Sequence, residues 1–242
     1  MFLSVLPQTV GVFLVIMIAF AMVKQNHRPY FAILFIVAYL VSRIVVRLPD
    51  ALGLQLNYNW IGHVLVIAWV LFFLWISPLK PKDIGLTLRQ RSGTVMPAVI
   101  VTLCLIALKG IITVLLNAFL YNSGFETLLF QITMPALAQE LQYSGLLLSL
   151  MIVALGGRQT EQKFDWNRVT VLAIIITAFS HGIVFGLVNN TGFQVNILAF
   201  TTPFIGKLVY AWLRLSTGSL LFPILAFSVS NFVVWLLTLL LT

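Results

Sequence analysis

Gln8-Thr-Val-Gly-Val-Phe-Leu-Val-Ile-Met-Ile-Ala-Phe-Ala-Met-Val23 is a run of sixteen residues without a single charge. A helix that crosses the hydrocarbon core of a bilayer needs about 20 mostly apolar residues, and this run supplies most of one. A secretory signal peptide carries a basic start and a small-residue cleavage site. No Lys or Arg precedes Gln8, so the run reads as a retained first span. Working outward, comparable segments recur at about 30–46, 60–77, 95–120, 126–155, 168–188, 193–213 and 219–241. Turn or charge signals separate them: Lys24 to Arg28, Leu48-Pro-Asp50, Ser77 to Lys82, Asn122-Ser-Gly124, Gly156-Gly-Arg158, Asn189 to Gly192 and Ser216-Thr-Gly218. The expected fold is an all-α polytopic integral membrane protein, a bundle of about eight transmembrane helices in a single domain over 1–242, with no internal repeat.

Composition agrees. Of the 242 residues, 61% are hydrophobic and 8% charged, and the mean hydropathy is +1.07. Soluble domains carry about 25% charged residues, so a chain this poor in charge could not cover its surface in water. The lipid bilayer is its expected partner. The net charge of +8 does not point to nucleic acid, because no run of five or more like charges exists. The bases sit instead in short connectors, as the positive-inside rule requires. Connectors after spans 1, 3, 5 and 7 hold Lys24, Arg28, Lys80, Lys82, Arg89, Arg91, Arg158, Lys163, Arg168 and Arg214. On the other side stands Arg47, with Arg43 near the end of span 2. This bias predicts both termini on the non-cytoplasmic side. The basic connector from Ser77 to Thr94 reads as a solvated loop touching anionic headgroups. Cys104, the only cysteine, reads as a small buried apolar residue that serves neither a disulfide nor a zinc cluster.

In such a chain the informative residues are polar ones inside spans, since an ionisable group at helix centre costs about 2.5–3.5 kcal/mol on insertion scales. Glu140 lies in span 5, followed by Gln142, Tyr143 and Ser144; His181 lies in span 6 with Thr177 and Ser180; Asn231 lies in span 8. Glu140 and Ser144 share a helix face with Gln139 beside it, as do Thr177 and His181. Three helices can thus turn polar faces to one interior cavity. A carboxylate, an imidazole and a carboxamide meeting there could perform general acid–base work with an oxyanion donor; each alone could equally be an interhelical hydrogen bond. Lys109 reads as snorkelling or paired with an acid, Lys207 as lying near the cytoplasmic end, and His63 as interfacial.

Three pieces in order resemble the membrane-embedded CAAX protease and bacteriocin-processing family, called CPBP or Abi. Pro135-Ala-Leu-Ala-Gln139-Glu140-Leu-Gln-Tyr-Ser144-Gly145 is similar to its Glu-Glu-x-x-x-Arg-Gly signature. Thr177-Ala-Phe-Ser-His181-Gly-Ile-Val-Phe185-Gly-Leu-Val-Asn189 stands where a Phe-x-x-x-His motif belongs. Phe204 to Asn231, with Thr217-Gly-Ser-Leu220, Pro223 and Asn231, resembles the layout that ends in Ala-His-x-x-x-Asn. Ile84-Gly-Leu86 is similar to the family's Leu-Gly-Leu. The resemblance covers about 126–235. It implies an intramembrane endopeptidase in which the leading glutamate and the motif-two histidine activate water, and the motif-three histidine and asparagine hold the oxyanion. A divalent metal is a possibility that the resemblance alone raises; no other cofactor is expected. The departures are Gln139 before Glu140, Ser144 in place of arginine, and Phe227 in place of histidine. Motif two aligns in two registers, one keeping His181 and the other placing Asn189 at the histidine position.

Two readings follow from the resemblance. One is an endopeptidase cleaving a peptide or lipidated tail, with Glu140 as base, His181 orienting water and Asn231 binding the oxyanion; Gln139, Ser144 and Asn189 are the further candidates. The other is a catalytically degenerate member acting as a membrane scaffold, a partner-binding protein or a bacteriocin-immunity protein. The resemblance and the chain's compactness point to a bacterial plasma membrane.

Overall fold

A computed structural model describes residues 5–23, 27–54, 56–115, 124–157, 165–188 and 194–242. Candidate Asn189 and the connector bases Lys24, Arg158 and Lys163 lie outside the described residues. Helices follow one another as α1 (Val5–Met22), α2 (Pro29–Val45), the single turn α3 (Leu48–Ala51), α4 (Trp60–Ile76), α5 (Val95–Leu115), α6 (Phe125–Gln139), α7 (Leu148–Ala154), α8 (Arg168–Gly186), α9 (Ile197–Thr217) and α10 (Leu221–Leu241). A π-helical segment, Glu140–Leu147, joins α6 to α7 in one continuous rod. The described residues therefore contain eight long rods, one for each predicted span.

Local chemistry sets their ends. Pro29 starts α2 at a position where its missing N–H is not needed. Asn59, Asn167 and Asn196 cap α4, α8 and α9 by accepting the N–H of Gly62, Thr170 and Ala199, each at 2.9 Å. Gly218, at φ 78°, closes α9 in the left-handed conformation that glycine adopts without strain. Leu187–Val188 and Gln194–Val195 pair as a two-residue antiparallel ladder (β1, β2) between α8 and α9.

Five of the rods are long and apolar enough to cross a membrane by length and composition. α2 and α4 are apolar but shorter, at 17 residues each. The rod from Phe125 to Ala154 is the centre of the bundle: 83% of its apolar window is buried, against 11% for α5 on the periphery. It touches α2, α4, α8, α9 and α10. The molecule is an integral membrane protein, and its exposed apolar side chains on α1, α4, α5 and α10 are the surface that lipid requires.

The most extensive helix–helix contact is α8 against α9, and glycine allows it. A Cβ on Gly186 would stand 2.6 Å from Phe200 Cβ, and one on Gly182 would stand 3.0 Å from the Phe200 carbonyl oxygen and Phe204 Cβ. Small residues let membrane helices approach closely. Gly186→Ala is expected to wedge the pair apart and cost about 1–3 kcal/mol, measured as a lower melting temperature in detergent. Gly206→Ala, whose Cβ would meet only Tyr210 at 3.7 Å, is the control and should leave that temperature unchanged or higher.

Several expectations are corrected. Cys104 is exposed on the outside of α5, because lipid accepts a small apolar residue as readily as a core does. The connector Ser77–Thr94 is docked through its apolar residues while Lys80, Lys82 and Arg89 stay exposed: Ile84 is fully buried and Leu79 nearly so. Its Gly85, at φ 81°, accepts a hydrogen bond from Leu220 N through its carbonyl. Arg91 N donates to Thr217 O, and Ser219 Oγ to Thr87 O. Arg214 reaches back to the Asp83 and Ile84 carbonyls and to Ser149 Oγ, so the connector seals one end of the bundle. Lys207 stands midway along α9 with no exposure, not near its end. Lys109 pairs with the carboxamide of Asn231 rather than with an acid, and His63, in the first turn of α4, is half-buried and lines a cleft.

Candidate functional site

Polar side chains of α5, α6, α8, α9 and α10 meet inside the bundle, and they form three adjoining clusters. In the first, Glu140 at the start of the π-helical segment is wholly inaccessible. Lys207 Nζ donates to its Oε1 at 2.5 Å, and Ser144 Oγ donates to its Oε2 at 2.5 Å. Each carboxylate oxygen therefore has a strong partner, one of them charged. The Lys207 ammonium also lies 5.4 Å from the Tyr143 ring centre and 5.3 Å from that of Tyr210, where ring quadrupoles attract a cation.

The second cluster joins α6 to α8. His181 Nε2 meets Gln139 Oε1 at 2.9 Å, and Nδ1 meets the Pro203 carbonyl oxygen at 3.3 Å. Tyr143 packs edge-on against the imidazole, with centroids 4.7 Å apart, and Phe185 also packs edge-on against it at 5.2 Å. A carboxamide can give or take a hydrogen bond. With its NH2 turned to Nε2, a neutral ring donates Nδ1–H to Pro203 and is satisfied on both sides. A glutamate at 139 could only accept, and would favour an imidazolium; the Gln139–His181 pair instead sits in low dielectric without charge.

In the third cluster Asn231 Oδ1 accepts from Lys109 Nζ at 2.6 Å, while Asn231 Nδ2 donates to the Gln131 carbonyl at 2.8 Å. Phe227, one turn before, lies under the Lys109 ammonium at 5.3 Å and stacks on Tyr210 at 5.3 Å. Rings and cations thus link the clusters in the order Asn231, Lys109, Phe227, Tyr210, Lys207, Tyr143 and His181.

Among the sequence candidates, Glu140 and Ser144 are joined directly, and so are Gln139 and His181. Glu140 and His181 share no hydrogen bond, and Asn231 meets neither. Lys207 and Arg43 are the polar residues of consequence that sequence reasoning passed over or misplaced. A lysine eleven residues into a helix of twenty-one was the available signal for the first. Arg43 lines a small cleft of about 50 Å³ with His63, Gln139, Gln142, Tyr143 and His181. Gln142 itself is tied by its Nε2 to Ser42 Oγ at 2.5 Å.

A divalent metal does not fit these side chains. Among the described residues no three His, Cys, Asp or Glu side chains gather as ligands. The cleft pairs two imidazoles with a guanidinium, which repels a cation, and the carboxylate of Glu140 is committed to Lys207.

Comparison with known proteins agrees with this architecture. A family model described as type II CAAX prenyl endopeptidase Rce1-like matches residues 122–233, the stretch from just before α6 to the middle of α10. No curated protein and no solved structure matches the chain. Over that segment, which holds Glu140, His181 and Asn231, the chain is similar to the Rce1-like type II CAAX prenyl endopeptidase family.

Proposed function

We propose that this chain is a catalytically degenerate member of the family that captures a peptide or lipidated tail within the membrane without cleaving it. The supporting observation is the partner of His181. The neighbour that should carry a carboxylate is the carboxamide of Gln139, which cannot take a proton from water. Glu140, one residue on, would have to leave both Lys207 and Ser144 to act as base. Phe227 offers no hydrogen-bond donor, and loss of one oxyanion donor typically costs about 10²–10³ in rate. The fold alone licenses no activity; the site chemistry favours binding.

The cleft lies where α2 and α8 end and α4 begins, opposite the face bearing most of the connector bases. With those bases cytoplasmic, its mouth faces away from the cytoplasm, and a partner or tail reaches it from that side. The single membrane domain and the bacterial plasma membrane belong to the same reading.

The test is a cleavage assay. The protein, reconstituted in liposomes, is incubated with farnesylated CAAX-type peptides and with unmodified apolar peptides, and products are followed by mass spectrometry. Hydrolysis should stay at the level of protein-free liposomes for the wild type, Glu140→Gln and His181→Ala alike. Cleavage by the wild type that disappears in His181→Ala would establish the endopeptidase reading in its place.

A further inference from the structure

The connector between α4 and α5 has two faces. One is spent on the bundle: Ile84 is buried, the Gly85 and Thr87 carbonyls accept from Leu220 N and Ser219 Oγ, and Arg214 clasps the backbone at Asp83 and Ile84. The other face carries Lys80, Lys82 and Arg89, all exposed, together with exposed Leu86 and Leu88. The only acidic residue of the connector, Asp83, is half-buried, and its carboxylate accepts the N–H of Lys80 at 2.8 Å. The outward face therefore holds cations and no free carboxylate. Leu88 is 83% exposed, and Trp75, in the last turn of α4, 81%. Apolar side chains this open are costly in water and at home in the upper acyl layer of a bilayer. Their position fits that layer. Exposed Trp75 and Ile76 end α4 just before the connector, and exposed Val95 and Met96 begin α5 just after it. Where two lipid-facing helices stop, the segment joining them lies at headgroup level.

We propose that the outward face of this connector is a binding surface selective for anionic phospholipid, with Lys80, Lys82 and Arg89 meeting phosphates and Leu86 and Leu88 dipping among the acyl chains. Each base held near an anionic surface adds about fivefold to the affinity. The clasp fixes the backbone beforehand, so lipid binding orders no loop and the bases act together. An acidic protein segment would match the charges, but it would leave the open leucines and Trp75 without a role. The surface lies at the opposite end of α4 from the cleft beside His181, and the inference does not rest on the capture reading.

The experiment uses the full chain in phosphatidylcholine nanodiscs. Phosphatidylglycerol or phosphatidylcholine brominated in the upper acyl chain is titrated in, and quenching of Trp75 is read as the difference between the wild type and Trp75→Phe. The brominated phosphatidylglycerol should quench at a mole fraction at least about tenfold lower than the brominated phosphatidylcholine, and added salt should shrink that preference. Lys80→Gln, Lys82→Gln and Arg89→Gln combined should bring the two lipids within about twofold of each other. Arg28→Gln with Arg168→Gln, which removes bases of neighbouring connectors, should leave the preference in place. If the triple variant fails to fold, the salt titration of the wild type carries the test. Equal quenching by the two lipids, a preference insensitive to salt, or one that survives the triple substitution overturns the proposal. No lipid preference, together with binding of a polyglutamate peptide that the triple variant loses, overturns it in favour of an acidic protein partner.

Discussion

Lys207→Met leaves Glu140 buried without its cation, and the expected result is a loss of about 3–5 kcal/mol of stability, the cost of breaking a buried pair from one side. Both side chains are wholly inaccessible, so water cannot take over the role of either. Replacing both members is a different matter. Lys207→Met combined with Glu140→Gln keeps an acceptor for Ser144 and removes both charges, so most of the loss should return. Thermal unfolding of the three variants in one detergent measures this. A single variant within about 1 kcal/mol of wild type would mean that the pair carries no charge in the folded protein. The prediction also bears on function, because a carboxylate so held is a structural member and not a free base.

The second large effect concerns the C-terminal end of α9. Arg214→Ala should cost about 3 kcal/mol, since hydrogen bonds to charged groups contribute about 1.5–3 kcal/mol each and this side chain serves several acceptors. Arg214 is almost fully buried; it donates to Ser149 Oγ at 3.0 Å and to the carbonyls of Asp83 and Ile84. Without it the connector loses its clasp. Limited trypsin digestion should then cut faster at Lys82 and Arg89 than in the wild type. Unchanged digestion would show that burial of Ile84 alone holds the connector down. Digestion of sealed vesicles also reports on which side of the membrane that connector lies.

The eight rods were legible because each apolar run is long and the breaks between them carry glycine, proline, asparagine or charge. Asn59, Asn167 and Asn196 cap helices where such residues should, and the break at Ser216-Thr-Gly218 falls where Gly218 ends α9. The individual polar residues were legible as candidates, since each is expensive in lipid. Their partners were not. Glu140 and Lys207 are 67 residues apart, and nothing in the spacing of either helix says that the two face each other. The same holds for Asn231 and Lys109, 122 residues apart. A helix-face argument places residues on a side of one rod but not opposite a given side chain on another, so one shared cavity was expected where three linked clusters stand. The docked connector did leave a signal: the apolar Ile84 and the adjacent glycine inside an otherwise basic loop. Cys104 left none, because inward and lipid-facing positions ask for the same apolar character.

The π-helical segment between α6 and α7 has a further implication. Over Glu140–Leu147 the backbone winds with i to i+5 bonds, so residues beyond it are turned relative to those before it, compared with an unbroken α-helix in which each residue advances by 100°. Gln139 stands on the near side, looking toward His181, and Ser149 on the far side, looking toward Arg214. The rod therefore works as two shafts joined by a coupling, one orienting the residues beside His181 and the other the clasp. Side chains can be exchanged on the first shaft without altering the angle of the second, which gives a lineage a physical route to discard the reactive groups of an enzyme while its membrane framework stays assembled.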